Sequence, residues 1–207
     1  FPWESADSGF EETPVWALAG TFEHHITGCV ALAAWNYYRV TQDKDWLKKK
    51  GFPILKATAE FWLSRVEKGN DGTYHIRNVV AADEWAENVD DNAYTNGVAK
   101  LNLKAASKAA KLLGEPIVPE WNKVSEGLVI LSFPDGVTRE HAQYDGENIK
   151  QADVTLLAYP LKLITNSTRI EKDLAYYETR VPEKNTPAMT QAIFSLLYSR
   201  LGNAEKA

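Results

Sequence analysis

Asp83-Glu84-Trp85 follows the apolar run Val79-Val80-Ala81-Ala82 and sets two carboxyls beside an indole. A carboxyl pressed against an aromatic ring in a dry pocket resists ionisation, so it can keep its proton and serve as a general acid. The same triplet reads equally as a solvated acidic loop, and composition does not choose between the two. Other chemistries are poorly served. The histidines are His24, His25, His75 and His141, with no H-E-x-x-H arrangement. His24 and His25 are sequence neighbours and point about 100° apart on a helix, which makes them poor co-ligands. Neither a G-x-S-x-G elbow nor a glycine-rich phosphate loop is present. A single cysteine, Cys29, excludes an internal disulfide and any multi-cysteine metal centre. The residues therefore call for no metal and no cofactor.

The elements that must hold these groups are helical. Ile26, Cys29, Val30, Ala33, Tyr37 and Val40 step by three or four, and Asp43 can cap the next segment. That segment carries Trp46, Leu47, Leu55, Ala59, Trp62 and Val66, and Gly51-Phe52-Pro53 should break or kink it. The clearest helix runs from Asn92 to Leu113, with Gly114 placed to stop it. Shorter helices are expected over Pro119 to Leu131 and over Ala152 to Ile164, the latter meeting Pro160. Thr168-Arg169-Ile170-Glu171 fits a capping box, and Thr186-Pro187 fits a cap followed by proline at the first helical position, with Gly202 as the stop. Strand signals are confined to Gly72 to Arg77 after the turn-like Asn70-Asp71-Gly72, which predicts a short hairpin near residues 72–80. The class is all-α. Long polar stretches around 1–21, 79–91 and 133–150 are expected to be either functional or disordered loops.

The chain has 207 residues and a formal charge of −5, so it lacks the basic footprint of a nucleic-acid binder. With 44% hydrophobic and 25% charged residues it has a globular balance, and no apolar run approaches a membrane span. Its 7 Trp, 9 Tyr and 7 Phe fall partly in polar stretches, which suits stacking on the apolar face of a pyranose, although such rings commonly fill helical cores. The sequence begins Phe1-Pro2-Trp3-Glu4, without Met or a signal-type stretch, and reads as an internal piece of a longer protein.

Four blocks resemble glycoside hydrolase family 65, the family of maltose, trehalose and kojibiose phosphorylases and of related α-glucoside hydrolases. Asp83-Glu84-Trp85 through Val89-Asp90-Asp91-Asn92-Ala93-Tyr94-Thr95-Asn96 is similar to its D-E-aromatic … V-D-N-N-x-Y-T-N segment. Phe1-Pro2-Trp3-Glu4-Ser5 resembles its F/Y-P-W-E-S segment, and Lys150-Gln151-Ala152-Asp153-Val154 its K-Q-A-D-V segment. Pro187-Ala188-Met189-Thr190 matches the P-A-M-T block of the hydrolase branch. The four blocks keep their order and span nearly the whole chain. Asp91 departs from the pattern, which more often has Asn there.

The resemblance implies an (α/α)6 barrel whose chemistry inverts the anomeric centre. It makes residues 1–207 one region, the central part of the catalytic domain, with the β-sandwich domain and the C-terminal part of the barrel outside it. It assigns Glu84 as general acid, Trp3, Glu4, Lys150, Gln151 and His25 to sugar contacts, and Asp83 and Asp90 to supporting roles. Where family phosphorylases carry a phosphate-binding histidine, the aligned position here is Phe194, which favours water over phosphate as the nucleophile. The hydrolases' catalytic base belongs to a segment beyond the P-A-M-T block, so the chain alone is expected to hold an acid without a base and to leave apolar helix faces uncovered. Kojibiose hydrolases and the hydroxylysine-linked glucosidases are the nearest branch, with an α-1,2-linked glucoside as the implied substrate and trehalose as the competitor. The implied partner is a small carbohydrate, with neither nucleic acid nor membrane. A homodimeric parent fits the family, and cytoplasm and periplasm both remain open.

Overall fold

The computed structural model describes all of residues 1–207. Eight helices follow in order: α1 (Ala19–Phe22), α2 (His25–Thr41), α3 (Lys44–Trp46), α4 (Phe52–Arg65), α5 (Ala93–Leu113), α6 (Pro119–Gly127), α7 (Ser167–Glu178) and α8 (Ala188–Leu201). One antiparallel hairpin, β1 (Val66–Lys68) with β2 (Tyr74–Ile76), lies between α4 and α5. No helix is long and apolar enough to cross a membrane.

The local signals explain most boundaries. Asp43 Oδ1 accepts from the Trp46 N–H at 2.8 Å and opens α3. A π-helical turn, Leu47–Gly51, absorbs the Gly-Phe-Pro interruption, and Pro53 then stands in the first turn of α4. Asn92 Oδ1 accepts from the Thr95 N–H at 2.9 Å to start α5, and Gly114, at φ 70°, ends it.

Helix α5 is the hub. Its residues Ala99, Leu103, Ala106 and Ala110 join a core built on Leu55, Trp62 and Trp121 from α4 and α6. Ala93, Tyr94 and Val98 join a second core with Leu157, Leu174, Tyr177 and Phe194. A helix buried on nearly every side loses the one-faced pattern of a surface helix. Helices α2 and α5 approach so closely that Gly28 is required: a Cβ there would lie 2.1 Å from Val98 Cγ1. Inside the first core, Trp62 Nε1 donates to Asn102 Oδ1 at 2.9 Å.

Several expectations need correction. The hairpin covers residues 66–76 rather than 72–80; Val66, assigned to the helix by its period, is the extended residue that ends α4 and begins β1. Residues 152–164 do not form a helix. They hold only the 3-10 turn Val154–Leu157, because Pro160 lacks a donor and obstructs the turn before it. Their helical-looking spacing reflects burial on all sides, not one face. Helix α6 stops at Gly127, where Leu128 leaves to bridge with Tyr74. The cap of α7 is Asn166, whose Oδ1 accepts from the Arg169 N–H at 2.9 Å, and Thr168 lies within the helix. Helix α8 begins one residue later than expected, with Pro187 itself at the cap position.

Candidate functional site

A long loop between β2 and α5 carries the acidic triplet. Val79 and Val89 exchange both N–H···O bonds at 3.0 Å, and Ala81 N–H donates to the Ala86 carbonyl, so the loop is a narrow finger. At its tip Ala86 N–H donates to the Asp83 carbonyl at 2.8 Å, closing a turn with Glu84 and Trp85 as its two central residues. The Asp83 side chain folds under this turn and accepts from the Trp85 N–H at 3.3 Å, as aspartates in turns commonly do.

The segment Lys150–Asp153 lies against this tip. Lys150 Nζ donates to Glu84 Oε2 at 2.6 Å, while the Lys150 backbone N–H donates to Asp83 Oδ1 at 2.8 Å. Gln151 Nε2 donates to the Ala82 carbonyl and, at 3.4 Å, to Glu84 Oε1. Asp153 accepts from the Ala82 N–H at 3.1 Å, from Asn92 Nδ2 at 2.9 Å and from the Tyr94 N–H at 3.2 Å. Thr190 of α8 accepts from the Ala152 N–H at 3.0 Å. Hydrogen bonds that span 38 to 71 positions thus tie three sequence blocks together at the tip, with Lys150 and Gln151 reaching the Glu84 carboxyl itself.

The dry pocket expected for Glu84 is not there. Its side chain is 29% exposed and paired with Lys150, and the Trp85 indole is half exposed. The Glu84 carboxyl is taken up by Lys150 and Gln151, while the Trp85 ring is left largely to solvent. The buried carboxyl is its neighbour: Asp83 is 2% exposed, and burial raises its pKa to about 6 against the pull of its backbone donors. Burial likewise raises Asp153 to about 6 despite the amide of Asn92.

The remaining predicted residues divide. Lys150 and Gln151 reach Glu84, and Asp83 supports it from below. Asp90 instead pairs with Arg77 at 3.2 Å and accepts from the Asn78 N–H at 2.9 Å, so it braces the base of the finger and makes no contact with Glu84. His25 is buried; its Nε2 meets Glu23 Oε1 at 3.1 Å and its ring is edge-on to Tyr94, 5.1 Å between centroids. No hydrogen bond joins it to Glu84. Trp3 and Glu4 form a separate group: their backbone N–H groups donate to the Glu11 carboxylate at 2.6 and 3.2 Å. The Thr13 hydroxyl, with those N–H groups, holds Glu11 down to about 2. The Trp3 ring lines a cavity of about 350 Å³ with Thr21, Glu23, His24 and Phe61.

Asp91 is matched by its own partner. Its Oδ2 meets His75 Nδ1 at 2.8 Å, and its Oδ1 takes the Ile76 N–H, so the departure from Asn acquires a histidine contact. Two residues escaped the sequence reading, Asp153 as an organiser and Glu140. Asp153 stood in a matched block; Glu140 stood in a polar stretch with no pattern at all. A concavity of about 680 Å³ between α2 and α5 is lined by Trp35, Arg39, Lys104 and Lys108 and by no carboxyl. No three His, Cys, Asp or Glu side chains are arranged to hold a metal.

Residues 1–148 match the profile of the glycosyl hydrolase family 65 central catalytic domain. The kojibiose hydrolase of Flavobacterium johnsoniae is 65% identical over 207 residues, covering all of this chain and 30% of that protein. The protein-glucosylgalactosylhydroxylysine glucosidase of Dictyostelium discoideum is 39% identical over 214 residues, again all of this chain and 30% of the relative. A solved structure titled "Putative kojibiose phosphorylase from human microbiome" superimposes with a TM-score of 0.72 over 87% of this chain and 31% of its own, at 19% identity. At that identity the likeness shows the fold, part of an (α/α)6 barrel. The chain spans about 30% of the length of the curated relatives it matches.

Proposed function

The chain belongs to glycosyl hydrolase family 65, and on that premise we propose that it supplies the acid half of an enzyme that hydrolyses an α-glucosidic bond, an α-1,2 linkage of the kojibiose type foremost. The observation that carries this reading is the meeting of Lys150 Nζ and Gln151 Nε2 on the Glu84 carboxyl at the tip of the finger. Glu84 gives its proton to the departing glycosidic oxygen. To do so its Oε2 parts from Lys150 and takes up a proton from water, and the freed ammonium and the Gln151 amide turn to the hydroxyls of the glucosyl unit. Asp83 keeps the turn in place through the N–H groups of Lys150 and Trp85.

The reaction inverts: water attacks the face opposite Glu84 with the help of a carboxylate roughly 6.5–9.5 Å from the acid. The resemblance assigns that base to a later segment, so the 207 residues on their own do not turn over substrate. Trp3 and Glu4 form an outer contact for the sugar, with His25 behind them. Water rather than phosphate is the nucleophile, a choice supported by Phe194: it is buried among Leu157, Leu174 and Leu197, and an apolar ring offers an oxyanion nothing.

The deciding experiment replaces Glu84 with Gln in the full-length protein and measures release of glucose from kojibiose. Loss of about a hundredfold or more in kcat is expected, the contribution of a positioned acid; an unchanged rate would overturn the assignment.

A further inference from the structure

The interior beside the finger holds more acid than it holds donors. Glu140 is fully buried, and neither of its carboxyl oxygens has a hydrogen-bond donor. Its neighbours are better supplied: Asp83 takes two backbone N–H groups, and Asp153 takes two together with the Asn92 amide. The Glu140 and Asp83 carboxyls lie within hydrogen-bonding reach of each other and line one cavity of about 180 Å³. The backbone fixes this placement. The Glu140 carbonyl accepts from the Ala93 N–H at 2.7 Å, in the first turn of α5, and Ala142 N–H donates to the Asp90 carbonyl at 2.8 Å.

Two buried carboxyls in contact do not both ionise; one shared proton turns their repulsion into a bond. The charge settles where donors already wait, on Asp83, and the proton stays on the oxygen that has none. The surroundings agree from every side. Asp83 faces Glu140 from the finger, Asp153 from the segment after Gln151, Glu147 from its own loop, and the Tyr144 and Tyr177 rings from that loop and α7. Burial pushes the pKa of His141, next along the chain, below its ordinary value. Arg139 and Arg180 turn to the Phe133 and Tyr176 rings, and Lys150 to Glu84. Burial first, then these carboxyls, push the Glu140 carboxyl well above the usual range.

We propose that Glu140 is a positioning residue, carried in the folded protein as a neutral carboxylic acid that donates a hydrogen bond to Asp83 and thereby fixes the turn on which Glu84 meets Lys150. Its kinetic consequence rests on the reading of Glu84 as the acid; its protonation does not.

Two variants of the full-length protein, Glu140→Gln and Glu140→Leu, separate the donor from the volume. Infrared spectra of protein labelled with carboxyl-13C glutamate read the proton directly. In the difference between parent and variant spectra, where other glutamates cancel, the carbonyl band of one neutral acid should be present at neutral pH for both variants. The Gln amide keeps a donor and should hold kcat on kojibiose close to the parent value, whereas Leu should lower kcat about tenfold or more with a smaller change in KM. Absence of the band at neutral pH, or equal kcat in the two variants, overturns the proposal. If none of the proteins releases glucose, the reading of Glu84 fails, while the band still decides the state of Glu140.

Discussion

Replacing Glu84 by Gln keeps its volume and leaves an oxygen for Lys150, but removes the transferable proton. The loss should therefore depend on the leaving group. An aryl α-glucoside that departs as a stabilised phenolate needs little protonation, so its cleavage by the Gln variant should stay near the parent rate while kojibiose cleavage collapses; equal losses on both substrates would point to a disordered turn instead. Beneath it, Asp83 makes a claim about pH. Its folded pKa, about 6, exceeds the 3.8 of an ordinary aspartate. Below pH 4 the folded and unfolded chains both hold the proton. Between 4 and 6 the unfolded chain gives it up first, so the stability it contributes falls as pH rises, by roughly 3 kcal/mol in all. Urea unfolding at a series of pH values should show the parent's advantage over Asp83→Asn largest near pH 3 and diminished by about 3 kcal/mol at pH 7; a constant difference across that range would remove the buried-acid account of this side chain.

At the scale of the elements, the crossing of α2 and α5 sets the spacing between the His25 end and the Tyr94 end of the site. Gly28→Ala places its new methyl 2.1 Å from Val98 Cγ1 and 3.2 Å from Trp62 Cζ2. A packed core answers such a contact by shifting, at a cost of roughly 3 kcal/mol. Thermal unfolding should register that loss, and the double variant Gly28→Ala with Val98→Ala should recover much of it; a single variant as stable as the parent would mean the helices have room to part. The helices legible in sequence were those whose ends are written locally, by Asp43, Asn92, Gly114 and Gly202. Residues 152–164 misled because their spacing records contacts with other segments, Thr190 and Leu174 among them, which no local window contains. The site was legible only in part for the same reason. Lys150 lies 66 positions from the carboxyl it pairs with, and it was the block resemblance, not the spacing, that put the two together. Nothing around Glu140 distinguishes it from a solvated glutamate until the fold buries it.

Taken whole, the molecule has two cores joined through α5 and an open groove of about 680 Å³ beside Trp35 and Leu101. Tyr37 and Val40 on α2, Leu112 on α5 and Met189 on α8 are exposed apolar side chains. The carboxyl at the finger tip has donors around it but no second carboxylate assigned as base. Incubating the 207-residue chain with kojibiose or trehalose should release no glucose above the no-enzyme rate; measurable hydrolysis by this chain would mean that one of its own acids, Glu87 or Glu147 near the finger, activates water.

The stitching of the finger also dictates an order of events during synthesis. Asp83 and Glu84 leave the ribosome long before Lys150, Gln151 and Asp153, and Thr190 follows later still. Until those latecomers arrive, the acidic tip has no partner except its own backbone, while α2, α4 and α5 can already close over Trp62. A released fragment that ends near residue 130 should therefore resist protease through its first core and be cut within the finger.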